Sequence, residues 1–572
     1  MIFIIKRTLI IWLIDFNYYL KQNINLILFI SYVIFLALSV YLRFVNLNYN
    51  YMPVDTGYEL EAARLISQGD RFPLIGPALG IEGFNIPPTY LYFLAFLYVI
   101  CQGNVEMINV VFVLMGVTTI IMFSLLIYLV TNNKLISLST LAALSVWKYS
   151  LEISRSVWHP HPVFFFLVIA LLFGVMSLKK HKFVYLFICH FAFFISLSIY
   201  PSPIFFLPSI FLITIYYFKK NRISPKFHDR AQMILSLIFA WLLVYFPLII
   251  YEINHNFSSI NALLESDGPQ NILSFSELII HFGKMLQLLS TLFFNQYGNV
   301  TQSLFFLFLL VVTFSFSFMY RSKQSAAVRS FLHPFVLLWF VFVLSYLKNL
   351  SIVNAVHRFD VLSLWIFLLF AVALSLVDKF LSGWRKYLIY GINLIVFITF
   401  LVSNIKPSYE YITSINFESV ASYHEVANQV TKAISANDLS RDNVLIFSVL
   451  RMQNQIDKSP RELLVFSKYE SEVIDHFVNK NFPLMNPLDD SFQYTLNYKW
   501  KINFLGVDNY FLICRNIDEN VNCLQNFIFD LTSLDEKKQY SFVLVNEDII
   551  ETEAINAKMY FLKKFQNPHA IK

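Results

Sequence analysis

Apolar runs separated by short polar segments fill the chain from residue 25 to residue 405. Each run has at least 17 residues, enough for a helix to cross a hydrocarbon core about 30 Å thick. The pattern therefore predicts a polytopic α-helical membrane protein with about eleven transmembrane helices. The predicted spans are residues 25–45, 107–130, 134–152, 161–178, 182–200, 203–219, 231–252, 303–320, 331–348, 360–378 and 386–405.

A further apolar run, residues 89–101, is too short to span comfortably and is predicted to lie as a helix at the membrane surface. The distribution of Lys and Arg tests this choice, because cytoplasmic loops contain more of these residues than extracytoplasmic loops do. With the N-terminus inside, the cytoplasmic loops are all basic or neutral, and the opposite loops hold most of the acids and histidines that precede residue 406. Counting 89–101 as a span would move the basic clusters outside. The first loop, residues 47–106, is thus predicted to be extracytoplasmic.

Beyond about residue 405 the pattern changes to strand-like runs such as NVLIFSVL and YSFVLVN between helical segments. This alternation predicts an α/β domain. Residues 1–405 are thus predicted to form the transmembrane domain, and residues 406–572 a C-terminal α/β domain on the extracytoplasmic side. The latter carries no Gly-rich phosphate loop and no cluster of metal ligands, so its expected role is binding or support.

The composition excludes a soluble protein. Hydrophobic residues make up 57% of the chain and charged residues only 14%, against about 25% charged residues in soluble domains. The formal net charge is +6, but the basic residues stand in short clusters between apolar runs, which indicates topology and not nucleic-acid binding. Four cysteines are too few for a disulfide scaffold. Cys101 and Cys189 are expected in the core, and pairing of Cys514 with Cys523 is left open.

The first loop begins with a predicted helix. Thr56 and Glu59 have the spacing of a capping box, in which a hydroxyl and a carboxylate satisfy the free amides at a helix start. The helix is predicted to end near Gln68, followed by Gly69. Asp55 precedes the cap and should stay ionised near the positive end of the helix dipole. It is suited to act as a general base, and helix capping is the equally weighted alternative.

The rest of the loop, GPALGIEGFNIPPTYLY, contains three glycines and three prolines and cannot form a regular helix or strand. Its aromatic and proline content argues against disorder. A loop of this length that is ordered is usually functional. Glu82 is a second acid here, with a solvated surface position as the alternative.

These segments together resemble a known superfamily. An acid followed by GYELEAARLISQGDRFPLIGP, a Gly/Pro loop and PPTYLY is similar to the first extracytoplasmic loop of GT-C fold glycosyltransferases. This superfamily includes the family 39 protein mannosyltransferases and the bacterial lipid A aminoarabinose transferases. The stretches SRSVWHPHPVFFF at residue 154 and FPLIIYEINHNF at residue 246 resemble motifs of the same superfamily, so that the resemblance covers residues 25–405.

The resemblance implies a transferase that takes a hexose or pentose from a polyprenyl-phosphate donor in the cytoplasmic (inner) membrane. The acceptor, a lipid, a glycan or a protein, would be met at the outer face. The sequence departs from the superfamily at two positions. Many members have a second acid where this chain has Thr56, and some have a histidine near the position of Tyr200.

Such a transfer needs a base for the acceptor hydroxyl and cations for the departing phosphate. Asp55 is the predicted base. His357 and Arg358, just before a predicted span, are the favoured contacts of the donor phosphate, and snorkelling at the interface is their alternative. The candidate substrate-binding residues are Glu59, Arg64, Glu82, Tyr90, Arg155, His159, His357 and Arg358.

No metal ligand is assigned. His159 and His161 flank Pro160, and packing at the interface is favoured over metal binding because no third ligand lies nearby in sequence. No cofactor is firmly predicted, and a divalent metal is left open. Glu252, at the end of its predicted span, is interpreted as a structural group in preference to a second acid of the site.

Two other functions compete with the transferase. A transporter or flippase of lipid-linked sugars would share the helices and the phosphate-binding cations, and a non-catalytic scaffold would share the fold. Transporters usually carry polar groups or broken helices near the bilayer midplane. In this chain the predicted spans are nearly free of ionisable residues and the polar residues gather at one face, which favours chemistry at the membrane surface.

Overall fold

The structure is a computed structural model that describes most of the N-terminal two thirds of the chain and parts of the remainder. The backbone alone is described for some of these residues, among them Asp55. The described residues are 25–50, 55–70, 72–77, 85–220, 227–261, 287, 293, 325–331, 361–380, 383–413, 420–437, 444–449, 509–515, 540–551 and 556–566.

Most of the described residues are helical. The helices are α1 (Asn25–Phe44), α2 (Asp55–Gln68), α3 (Thr89–Ile100), α4 (Val105–Thr131), α5 (Lys134–Val146), α6 (Lys148–Arg155), α7 (Val163–Lys180), α8 (Phe183–Ile199), α9 (Leu207–Lys220), α10 (Phe227–Asn254), α11 (Ala326–Phe331), α12 (Val361–Phe380), α13 (Gly383–Thr413) and α14 (Val420–Ala436). Short 3-10 helices cover Leu47–Tyr49 and Ser202–Phe206.

Within the described ranges, five helical segments are long and apolar enough to cross a membrane: Asn25–Phe44, Val105–Thr131, Val163–Lys180, Ser202–Lys219 and Ile234–Asn254. They coincide with five predicted spans. Helices α8, α12 and α13 match three more in position. The predicted span 303–320, and all but the first residue of 331–348, lie outside the described residues. The short apolar run predicted for the membrane surface forms helix α3.

The predicted span 134–152 is wrong as a single helix, because the chain breaks at Trp147 into α5 and α6. Trp147 has φ −69° and ψ 116°, an extended conformation that ends one helix and starts the next. Its indole is 1% exposed and packs on the rings of Phe293 and Phe367, with centroid distances of 5.7 and 5.5 Å. Tertiary packing of one large aromatic side chain thus overrides an otherwise continuous apolar run.

A helix break in an apolar bundle frees backbone groups that water cannot reach, so that side chains must meet them. Arg43, fully buried on α1, donates to the carbonyls of Leu144 and Ser145, both at 3.3 Å. Its guanidinium also donates to the Ser150 hydroxyl at 2.7 Å. One arginine therefore binds the end of α5 and the first turn of α6 together. The pattern of residues along the chain did not predict this role of Arg43.

Helix α13 supplies two further partners of the break. The Ser408 hydroxyl donates to the Val146 carbonyl at 2.7 Å, and the Asn404 side-chain oxygen accepts from the Lys148 N–H at 3.3 Å. Both polar side chains are buried. The helix that holds them runs through residue 405, where the predicted transmembrane domain ends.

Helices α4 and α6 approach closely at Gly116. A Cβ atom built on Gly116 would lie 2.2 Å from the Cβ of Ser154, closer than two non-bonded carbon atoms can approach. Glycine is therefore required here by the packing of the two helices.

The described strands form a four-stranded sheet in the order β1-β2-β4-β3, with β1 at Val444–Val449, β2 at Asn509–Arg515, β3 at Tyr540–Glu551 and β4 at Asn556–Gln566. Strands β1 and β2 are parallel, and the other two pairs are antiparallel. Helix α14 buries Val426, Ala427, Val430 and Ile434 in the same hydrophobic core as the bundle. The division into domains at residue 406 stays a prediction.

We predict that Gly116→Ala destabilises the protein, because the added methyl group must push α4 and α6 apart. Overpacking of this kind costs about 1–3 kcal/mol. The measurement is thermal unfolding of the detergent-purified protein, followed by tryptophan fluorescence. Gly391→Ala on α13 is the control: its Cβ would meet no atom within 4 Å, so that alanine should leave stability unchanged or raise it by up to about 1 kcal/mol. Equal effects of the two variants would contradict the close approach.

We further predict that Arg43→Met lowers stability by about 3 kcal/mol or more, because carbonyls at the α5–α6 break lose their donor inside the bundle. Arg329→Met on α11, where the arginine is exposed and lies over the ring of Tyr216, is the matched control and should cost well under half as much. Both variants are compared by the same unfolding measurement. Indistinguishable midpoints would show that Arg43 does not hold the break together.

Candidate active site

Helix α2 is anchored to the segment between α6 and α7. The Thr56 hydroxyl, fully buried, donates to the Val157 carbonyl at 2.5 Å. Just before α2, the Asn50 amide donates to the Arg155 carbonyl at 3.1 Å. The predicted capping box is therefore wrong: α2 already starts at Asp55, and Thr56 uses its hydroxyl to bind another part of the chain. The end of the helix is as predicted.

At that end, the Gly69 N–H donates to the Ile66 carbonyl and the Asp70 N–H to the Leu65 carbonyl, both at 3.1 Å. Gly69 has φ +80°, a left-handed conformation in which glycine carries no steric cost. This pair of hydrogen bonds is the Schellman motif, and it confirms the predicted stop at Gly69.

The second contact of α2 is a buried pair of ionisable groups. The Glu59 carboxylate lies 2.5 Å from Nδ1 of His159. Glu59 is fully buried and His159 is 8% exposed. A carboxylate on Nδ1 fixes the orientation of the imidazole and leaves Nε2 as the ring atom that can meet a ligand. Two residues that sequence analysis proposed separately as substrate contacts therefore form one unit.

Aromatic rings enclose this pair. The rings of Tyr90, Tyr200 and Trp158 lie 6.0, 5.8 and 5.7 Å from the His159 ring, measured between centroids. Burial, and then the neighbouring Glu59 carboxylate, raises the pKa of Tyr90 well above its ordinary value. The Tyr90 phenol thus stays neutral and keeps its proton at physiological pH. We refer to Glu59, Tyr90, His159 and Tyr200 as the Glu59–His159 cluster.

Arg64, another predicted substrate contact, binds side chains of its own helix. Its guanidinium donates to both carboxylate oxygens of Glu61, at 2.6 and 2.9 Å, and to the Gln68 side-chain oxygen at 2.9 Å. The hydrogen bond with Glu61 raises the pKa of Arg64. Most of its donors are therefore committed to α2 itself.

Arg155 lies beneath the end of α1. Its guanidinium donates to the carbonyls of Leu42 and Val45, both at 2.7 Å, and to that of Asn46 at 3.4 Å. The guanidinium carbon also lies 5.6 Å from the centre of the Tyr411 ring. Arg155 is 1% exposed, and burial lowers its pKa. Arg155, which the sequence predicted as a substrate contact, thus caps the C-terminal end of α1.

The two histidines of WHPHP have different partners. Nδ1 of His161 lies 2.8 Å from the Ser156 carbonyl oxygen, whereas Nδ1 of His159 faces Glu59. Among the described residues no group of three or more His, Cys, Asp or Glu side chains could hold a metal ion. His161 lines a mostly apolar cavity between α4, α6 and α7. The cavity is lined by Phe112, Met115, Gly116, Thr119, Ile120, Phe123, Leu144, Trp147, Ser150, Ile153, Ser154, His161, Pro162, Phe164, Phe165 and Leu364.

The structure brings Glu59, Tyr90 and His159 together. Tyr200 joins them without having been predicted, since it drew attention only as the place where some relatives have histidine. Asp55 is the first residue of α2, one helical turn before Glu59, and its side chain lies outside the described part of the chain, as do Glu82, His357 and Arg358.

We predict that Glu59 and His159 are energetically coupled. In a double-mutant cycle with Glu59→Gln and His159→Gln, the interaction energy should reach about 1–3 kcal/mol, because both groups are buried and in direct contact. The pair Lys406 and Glu410 is the control, since its side chains are 82% and 62% exposed and 3.7 Å apart, and its coupling should stay below about 1 kcal/mol. Thermal unfolding of the single and double variants provides the energies. Additive effects at Glu59 and His159 would refute the contact.

Comparisons with known proteins place the fold. No protein-family model matches the chain, and no curated protein sequence matches it. Among solved structures, the chain is similar to ArnT from Cupriavidus metallidurans, whose crystal structure contains bound undecaprenyl phosphate. The alignment covers 92% of this chain and 97% of ArnT, with a TM-score of 0.51 and 11% sequence identity.

ArnT is a GT-C lipid A aminoarabinose transferase. At 11% identity the similarity is one of fold, and it extends over nearly the whole of both chains. The GT-C fold that the first-loop pattern led us to expect is thereby confirmed. This chain is a multi-pass membrane protein with the GT-C fold.

Proposed function

We propose that the chain is a membrane glycosyltransferase that moves a sugar from a polyprenyl-phosphate donor to an acceptor at the outer face of the cytoplasmic membrane. The observation that carries the proposal is the fold shared with ArnT over 92% of the chain, because that structure binds undecaprenyl phosphate. The Glu59–His159 cluster supports it, since it holds the predicted first-loop helix at one end of the bundle.

In the proposed reaction the acceptor hydroxyl oxygen bonds to the anomeric carbon of the sugar. The bond between that carbon and the phosphate oxygen breaks, and polyprenyl phosphate leaves with both electrons of the bond. The hydroxyl proton passes to the carboxylate of Asp55, which acts as general base. The sequence of α2 supports this role, because Asp55 is its first residue and the positive end of the helix dipole keeps a carboxylate ionised.

The remaining roles follow from charge. His357 and Arg358 are proposed as contacts of the donor phosphate, whose departure needs cationic stabilisation. His159 is proposed to reach the same phosphate through Nε2, with Glu59 and Tyr90 as positioning residues. Arg64 and Arg155 are assigned structural roles, because Glu61 binds the Arg64 guanidinium and the carbonyls at the end of α1 bind that of Arg155.

The proposed topology has about eleven spans with the N-terminus inside. The first loop and an α/β domain of residues 406–572 then lie on the extracytoplasmic side. The described sheet of one parallel and two antiparallel strand pairs, together with α14, supports such a domain. The proposed donor carries a hexose or pentose, and the acceptor is a lipid, a glycan or a protein.

The break between α5 and α6 could instead favour a transporter, since discontinuous helices often bind transported substrates. In this protein, however, side chains of Arg43, Asn404 and Ser408 already occupy backbone groups at the break. A substrate would have to displace these buried hydrogen bonds. The break therefore has a structural role in the bundle and does not favour transport of a substrate through it.

We predict that Asp55→Asn lowers sugar transfer at least a hundredfold, as expected for loss of a general base. The assay measures undecaprenyl phosphate released from a panel of undecaprenyl-phosphate-linked hexoses and pentoses, with native envelope extract as acceptor. Binding of undecaprenyl phosphate itself should be unchanged. Asp70→Asn, at an exposed position just beyond α2, is the matched control and should retain full transfer.

Full transfer by the Asp55→Asn variant would remove Asp55 as the base. Lipid binding without transfer from any sugar of the panel, in the wild-type protein, would favour the scaffold. Movement of intact donor across proteoliposome membranes would favour the flippase.

A further inference from the structure

Glu252, in the last turn of α10, is a buried carboxylate that the proposed mechanism does not use. It is 6% exposed, and neither carboxylate oxygen has a hydrogen-bond partner in the described part of the chain. An uncompensated buried carboxylate is unfavourable, and the negative end of the helix dipole makes this position worse. Glu252 thus caps nothing in the described structure, contrary to its interpretation as a structural group. Ionisable side chains within spans usually mark sites of function.

Two further buried polar groups that have no hydrogen-bond partner in the described part of the chain lie shortly after Glu252 in the sequence. The hydroxyls of Ser258 and Ser259 are buried and make no hydrogen bond in the described part of the chain. They come directly after a tight turn in which the Phe257 N–H donates to the Glu252 carbonyl at 2.8 Å. Phe257 has φ +58°, a left-handed conformation that is strained for a bulky residue. Backbone strain of this kind is concentrated at functional sites.

Glu252 lies at the level of the Glu59–His159 cluster. Helices α8 and α10 run in the same direction, because α9 returns between them, and the rings of Phe194 and Tyr245 lie 6.4 Å apart between the two. Tyr200 follows Phe194, and Glu252 follows Tyr245, by about 10 Å of helix rise. The two residues are therefore at the same end of the bundle, where Tyr200 packs on His159.

We propose that Glu252 accepts hydrogen bonds from hydroxyl groups of the transferred sugar, with Ser258 and Ser259 as further contacts, and so selects the sugar. This inference rests on the proposed glycosyltransferase function. A carboxylate and two hydroxyls match a polyol, because hydrogen bonds to an ionised acceptor are stronger than those between neutral groups. A divalent cation fits less well, since it prefers several carboxylate or carbonyl oxygens and Glu252 supplies the one carboxylate of this group.

The experiment compares bare undecaprenyl phosphate with the same lipid carrying glucose, mannose, galactose, arabinose or 4-amino-4-deoxyarabinose. Binding to the purified full-length protein in nanodiscs is measured by thermal shift and by competition. The wild-type protein should bind one sugar-bearing lipid about tenfold or more tightly than the bare lipid. Glu252→Gln should abolish this difference and leave binding of the bare lipid unchanged. Glu410→Gln, an exposed glutamate on α13, is the control and should keep the difference.

The outcomes separate the two proposals. If neither lipid binds to the wild-type protein, the proposed function fails and this inference fails with it. If both lipids bind and the Glu252→Gln variant keeps the preference for the sugar, the inference alone is overturned. A preference that appears only with added Mg²⁺ or Mn²⁺, and is lost on chelation, would overturn it in favour of a cation site.

A second measurement needs no substrate. Because Glu252 lacks a protein partner in the described chain, Glu252→Gln should leave the unfolding temperature of the ligand-free protein unchanged or raise it. A marked fall, comparable with that of Glu59→Gln, would show that Glu252 has a structural partner and would overturn the inference.

Discussion

The satisfaction of backbone polar groups inside an apolar bundle is the constraint on which the other features depend. Helix α5 ends at Val146 within the bundle, and without a donor its last carbonyls would be buried unpaired. Arg43 reaches from α1 to two of them, while Arg155 reaches back from the end of α6 to carbonyls at the end of α1. Arg155 thus caps α1, the helix that carries Arg43, and Arg43 caps α5, the helix that precedes α6. The negative ends of the two helix dipoles offset much of the cost of two buried cations.

This pair of caps also determines where the site is built. Arg155 is the last residue of α6, and the segment that follows it carries the Val157 carbonyl and His159. Helix α2 binds to that segment twice, through Thr56 and through Glu59. The position of Asp55 at the start of α2 therefore depends on a chain of contacts that begins in the membrane-embedded bundle. A residue with no proposed contact to substrate, such as Arg43, can in this way influence the proposed reaction.

Sequence reasoning succeeded where the determining interactions are local. Hydropathy located five of the spans because the length of an apolar run depends on one segment alone. Gly69 was identified as the end of α2 because that end is formed by backbone hydrogen bonds within the same helix. It failed where the partner is distant: Glu59 was assigned to a capping box, but its partner His159 lies 100 residues away. The break at Trp147 was missed for the same reason. A single sequence holds no signal for such pairings, and the superfamily resemblance could suggest the residues but not their contacts.

The packing of Thr56 bears on the chemistry, because many GT-C sequences have a second acid where this chain has Thr56. The Thr56 hydroxyl donates to the Val157 carbonyl in a fully buried position. A carboxylate there has no proton to donate and would face the carbonyl oxygen, so that an acidic pair at these two positions is incompatible with the way α2 is anchored. Asp55 is then the one acid of the pair, and a metal ion bridged by two adjacent carboxylates has no second ligand at residue 56. The first loop of this protein thus has a hydrogen-bonding anchor at residue 56 in place of a second acid, which agrees with the proposed role of Asp55 in proton transfer.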